Sequence, residues 1–138
     1  MESTRFDLGA EWEPPRAEPV SPWPVDMVHL ARYTLGDKDL EREVLDLFAG
    51  EAPQRIAAFR QAHTEKEWKM AAHTLKGSAR AVGAWRIAHL AQQAERLSIQ
   101  DRETCAAAIL CLEEATAETS AYIGCMSRSE LMALQRIA

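Results

Sequence analysis

Residues 64–83 read TEKEWKMAAHTLKGSARAVG, and the fold turns on this stretch. Thr64 followed three residues later by Glu67 is a capping box, in which each side chain satisfies a backbone N–H at a helix start. Nothing interrupts the helix before Gly83, which predicts about 18 residues and roughly 27 Å of helix. At about 100° per residue, Trp68, Ala71, Leu75, Ser78, Ala79 and Val82 gather on one side as a core face. Lys66, Lys69, His73, Lys76, Gly77 and Arg80 gather within about 60° of His73 on the other. Gly77 is out of place there, because a glycine in mid-helix costs roughly 1 kcal/mol relative to alanine.

Working outward, the period stays helical. Upstream, DMVHLARYTL predicts a short helix from Asp26 that ends at Gly36 as its C-cap. Asp37 caps the next helix, whose apolar face reads Leu40, Val44, Leu47 and Phe48, extended by Ile56 and Phe59. Gly50 and Pro53 predict a kink in it. Downstream, residues 84–97 form a helix with Ile87, Leu90, Ala91 and Ala94 on one face. A further helix from about Asp101 carries Cys105, Ala108, Ile109, Leu112, Ala115, Thr119, Tyr122 and Ile123. The terminal SRSELMALQRIA predicts a separate short amphipathic helix. Long amphipathic helices with short connections, and no strand alternation or repeat, give an all-α fold, an antiparallel up-down four-helix bundle. The expected divisions are a tail at 1–24, the bundle at 25–124 and a helical extension at 125–138. Five of the six prolines fall in the tail, which predicts extended or disordered chain, with Trp12 and Trp23 available to dock.

Composition narrows the function. With 138 residues, 47% of them hydrophobic, the chain is long enough for one domain with a real core. The net charge of −5 speaks against nucleic acid as a partner. No stretch has the length of a membrane span, and the acidic N-terminus is unlike a secretory leader. Cys105, Cys111 and Cys125 form an odd set with no CxxC pair, which suits a reducing cytoplasm and no disulfide framework. Around His29, His63 and His89 the sequence offers no set of three ligating side chains, Asp26 lying one turn before His29 and Glu67 one turn after His63 without a further ligand, so no metal site is expected.

The chemistry therefore gathers on His73. An imidazole keeps one nitrogen free as a nucleophile near neutral pH. Gly77, one turn on, removes side-chain bulk where something large must approach the ring. The surrounding cations favour an anionic visitor, and a phosphoryl group fits all three features. Phosphoryl transfer asks a protein mainly for alignment and charge neutralisation, which Lys76 can supply at i+3. Glu95, at the edge of the following helix's apolar face, is the candidate to accept a hydrogen bond from the ring and leave the other nitrogen outward; Gln92 is a weaker substitute. Lys66, Lys69, Ser78 and Arg80 complete the candidate binding surface.

His73-Thr74-Leu75-Lys76-Gly77-Ser78, followed by Gly83-Ala84, resembles the signature of histidine-containing phosphotransfer (HPt) domains. The resemblance covers roughly residues 25–123 and takes in LGDKDLEREVLDLF upstream and AHLAQQAERL downstream. It implies that His73 carries phosphate on a ring nitrogen and exchanges it with aspartates of receiver domains in hybrid histidine kinases and response regulators. It also implies an orienting Glu95, no ATP site, no cofactor beyond the Mg2+ of the partner receiver, no membrane association and a cytoplasmic monomer. Three alternatives stand beside it. The dimerisation domain of a histidine kinase would carry an acidic residue after its histidine, where this chain has Thr74. A degenerate adaptor that binds receivers without accepting phosphate would have no use for both His73 and Lys76. A structural helical adaptor leaves Gly77 unexplained.

Overall fold

The computed structural model describes residues 23–137, with side chains from Trp23 to Met126, and all its regular elements are helices. Most of the Pro-rich tail, Trp12 included, lies outside the described residues. In order come α1 (Met27–Tyr33), α2 (Lys38–Gln61), α3 (Glu65–Val82), α4 (Trp85–Glu95) and α5 (Arg102–Ile137). α2 packs on α3, α3 on α4, α4 on α5, and α5 back on α2, which closes a four-helix bundle around one core; α1 lies across α3 and α2. Contacts step backwards between α3 and α4, with Lys69 at Glu95 and Arg80 at Gln92.

α3 forms where its local signals say. The Thr64 hydroxyl accepts from Glu67 N–H at 3.1 Å, and Glu67 accepts from the backbone N–H groups of Thr64 and His63. Those backbone bonds hold the Glu67 carboxyl below its ordinary range. Gly83 closes the helix in the left-handed conformation, φ 83°. Trp68, Ala71, Ala72, Leu75, Ala79 and Val82 are buried, and Ser78 is half-buried at the edge of that face. Trp68 anchors the core: its ring meets Phe59 edge-on at 5.0 Å and its indole N–H donates to Ala94 O at 2.7 Å. His63, just before the cap, is exposed.

α2 departs from the sequence reading in its face. The buried set is Glu41, Leu45, Phe48, Ala52, Ile56 and Phe59, whereas Leu40 and Leu47 are exposed and Val44 is only half-buried. The true stripe was masked by a buried glutamate. Glu41 is 4% exposed; it accepts from the Thr34 hydroxyl at 3.5 Å and pairs with Lys38 at 3.5 Å. The helix runs on through Gly50 and Pro53 without a break. α5 likewise continues to Ile137, so the terminal segment is the end of a long helix and not a separate one.

Two corrections concern α1. Its left-handed closing residue is Leu35, φ 56°, ahead of Gly36, φ 80°. Gly36 N–H bonds Ala31 O and Leu35 N–H bonds Arg32 O, the pairing of a Schellman motif with leucine in the glycine position. At the other end Asp26, 5% exposed, clamps α1 to the α3–α4 turn. Its carboxylate accepts from His29 N–H at 3.1 Å and from the Trp85 indole N–H at 2.9 Å, while its own N–H donates to Gly83 O. His29 packs edge-on against Trp85, and its Nε2 meets Arg80 O at 2.9 Å. Trp85 is thus used inside the fold. At Gly83 a Cβ would stand 3.0 Å from Asp26 O, so the close approach as well as the positive φ requires glycine there.

Candidate functional site

His73 stands exposed on the middle of α3. Helix geometry sorts its neighbours into two flanks. Lys69, Lys76 and Arg80 lie about 20–60° to one side of the ring, and Lys66, Gly77 and Met70 lie about 20–60° to the other.

The first flank faces α4, and each of its cations has a partner there. Lys69 Nζ donates to the backbone carbonyl of Glu95 at 2.8 Å. Lys76 Nζ meets the Glu95 carboxylate at 2.9 Å, with side chains 16% and 30% exposed. The Arg80 guanidinium donates to Gln92 Oε1 at 3.1 Å. Residue 95 therefore gathers two lysines that bracket His73 in the sequence, one through its carbonyl and one through its carboxylate. Lys76 holds the Glu95 carboxyl below the usual carboxylate range, chiefly by its hydrogen bond; the His73 and Lys69 charges act in the same direction.

This differs from the contact expected of Glu95. It reaches α3 from α4, but its carboxylate meets the Lys76 ammonium, and among the described residues the His73 ring has no hydrogen-bond partner. An ammonium within reach attracts a carboxylate more strongly than a neutral imidazole N–H does. Gln92, the weaker substitute, serves Arg80.

The second flank is open. A Cβ built on Gly77 meets nothing within 4 Å, so the glycine is not required by packing. Beyond it, a groove of about 870 Å³ runs between α2 and α3, lined in part by Glu51, Arg55, Ala58, Lys66, Met70 and Thr74. Met70 is 56% exposed. Glu51, Gln54 and Ala58 belong to the α2 stripe that begins with Leu40, Val44 and Leu47. The apolar run first read as core thus continues the same face of α2 beyond the residues that line the groove, with Leu40 and Leu47 exposed.

The remaining candidates are structural. Burial pushes the Cys105 thiol up, with Asp101 and Glu65 adding to the shift, and Cys111 is raised in the same way. Neither has the depressed pKa of a reactive cysteine. Among the described residues no group of three or more His, Cys, Asp or Glu side chains gathers as a metal site, and no helix is long and apolar enough to cross a membrane. The Asp26–His29–Trp85 clamp escaped the sequence reading; Asp26 three residues before His29 is the capping spacing that signals it.

No curated protein and no solved structure gives a significant match. The family model of the Hpt domain matches residues 43–122, more than half of the chain, and its span holds α3 with His73 and α4 with Glu95. On that match and the all-helical bundle, the chain belongs to the Hpt domain family, whose members serve phosphorelays in two-component signalling.

Proposed function

We propose that this chain is a phosphorelay intermediate in which His73 accepts a phosphoryl group and exchanges it with the aspartates of receiver domains. The observation that carries the reading is the pairing of an exposed imidazole with an open flank at Gly77 and a flank of anchored cations. In the accepting step an imidazole nitrogen forms a bond to phosphorus, and the bond from phosphorus to the receiver's aspartyl oxygen breaks. The carboxylate leaves with the electron pair, and the imidazole keeps the proton on its other nitrogen. Donation to a second receiver reverses these events. Lys76 lies close enough to neutralise phosphoryl oxygens, and alignment with charge neutralisation is most of what this transfer needs from a protein.

The open flank sets the direction of approach. A receiver comes over Gly77 and seats part of its surface on Met70 and the α2 rim formed by Leu40, Val44 and Leu47. Lys66, Lys69 and Arg80 supply a positive border that raises the encounter rate with an acidic partner face. Such partners place the protein in the cytoplasm, with Mg2+ entering only on the receiver.

Incubation with radiolabelled phospho-receiver domains tests the reading. Wild type should acquire acid-labile, base-stable label, and His73→Gln should acquire none while keeping its fold. Label that persists on His73→Gln, or that maps to His29, His63 or His89, overturns it.

A further inference from the structure

The contact between Lys76 and Glu95 raises a question that the transfer step leaves open. The cation best placed to meet a phosphoryl group is already engaged by a carboxylate, in a partly buried pair at 2.9 Å. Glu95 ends α4, and its backbone carbonyl is itself held by Lys69, so the carboxylate is anchored from a fixed point. Lys76 joins the bundle through a long, flexible stem on the opposite helix and is the more mobile partner. Two anions, Glu95 and an incoming phosphoryl group, then compete for one ammonium.

We propose that Glu95 is a positioning residue acting through Lys76: it holds the ammonium beside His73 in the unphosphorylated protein and yields it when a phosphoryl group arrives. This rests on His73 being the acceptor. The exchange has two consequences of opposite sign. Glu95 keeps Lys76 from reaching into solvent, so the cation is in place before the donor comes. Its hold on Lys76 must also be outcompeted by the arriving phosphoryl group, which raises the energy of phosphohistidine and makes the group easier to pass on. A phosphorelay carrier benefits from that second effect, because it must give up what it accepts.

Phosphoramidate, a small donor that needs no partner protein, separates this role from direct orientation of the ring. In that reaction an imidazole nitrogen bonds to phosphorus, the donor's phosphorus–nitrogen bond breaks, and ammonia leaves with the electron pair. Glu95→Gln keeps a hydrogen-bond acceptor for Lys76 and removes the competing charge. Its phosphorylation rate should rise roughly three- to fivefold, the scale of a partly exposed ion pair. The same change in a Lys76→Ala background should lose that gain. If wild type takes no phosphate at all, the assignment of His73 fails, and this proposal with it. If wild type is phosphorylated but Glu95→Gln is equal or slower, the proposal alone is overturned, and slowing identifies Glu95 as orienting the ring. A gain that survives in Lys76→Ala also overturns it, because Glu95 then acts on the donor directly.

Discussion

Replacing Gly77 separates the needs of the fold from those of the partner. The residue lies inside α3, its φ is not in the left-handed region, and a Cβ there meets no atom within 4 Å. Alanine therefore adds a methyl group to open space and removes the excess freedom of glycine in the unfolded chain. Gly77→Ala should stabilise the bundle by about 0.5–1 kcal/mol, which in a domain of this size raises Tm by about 2–6 °C. Urea and thermal unfolding followed by circular dichroism measure this directly. Function should move the other way, and only with a large donor. Gly77→Gln should accept phosphate from phosphoramidate within about twofold of wild type, while transfer from a phospho-receiver should slow about tenfold, equivalent to about 1.4 kcal/mol. Loss of stability in Gly77→Ala would refute the structural half of this reasoning. Equal slowing with both donors would refute the steric half, because the defect would then lie in the chemistry at His73.

Two further outcomes test the clamp and cap of α1. Asp26→Asn leaves the Trp85 indole N–H facing an amide in place of a carboxylate and should cost about 1.5–3 kcal/mol in urea unfolding; a change within about 0.5 kcal/mol would show that the clamp contributes nothing. The Trp85 hydrogen bond is the chief reason the Asp26 carboxyl sits below its ordinary 3.8. Its contribution is therefore complete above that value and lost as pH falls through the lowered folded pKa, so the wild-type advantage over Asp26→Asn should vanish in strong acid. Leu35→Gly removes a side chain that is 91% exposed from a left-handed position and should gain about 0.5–1 kcal/mol; destabilisation would mean that the leucine makes a contact worth more than its strain.

How far the sequence carried the fold differs from helix to helix, for physical reasons. α3 was legible end to end because its signals are local: a hydroxyl and a carboxylate three residues apart at one end, and a left-handed glycine at the other. The face of α2 was not, because its buried stripe begins with Glu41, which is accepted there by the Thr34 hydroxyl across the α1–α2 turn and by Lys38 one turn before it. Hydrophobicity then favoured Leu40, Val44 and Leu47, a real apolar stripe of which Leu40 and Leu47 lie on the surface. The continuity of α5 was hidden similarly, since SRSELMALQRIA carries a polar start that reads as a new cap. The left-handed turn that closes α1 begins one residue ahead of Gly36, because Leu35 takes the unfavourable φ.

At the site, spacing along one helix was enough to place His73, Gly77 and the cations on a common face, because helix geometry fixes that relation. Which cross-helix partner Glu95 takes was not readable. Lys69, His73 and Lys76 span two turns of α3, and a carboxylate at the end of α4 can approach any of them; charge decides the contest. The outcome divides the cations by function. Lys76 meets a full negative charge and contributes little net field at a distance. Lys69 and Arg80 are held by neutral acceptors, a carbonyl and an amide oxygen, so they are fixed in place with their charge intact. With Lys66 exposed on the other flank, three uncompensated cations surround His73 in a chain of net charge −5. On the proposed function, long-range attraction of an acidic partner belongs to those three, and Lys76 would act only once a phosphoryl group is near enough to draw it from Glu95. Under the proposed function, a site arranged this way attracts its partner broadly and neutralises charge narrowly, beside the His73 ring.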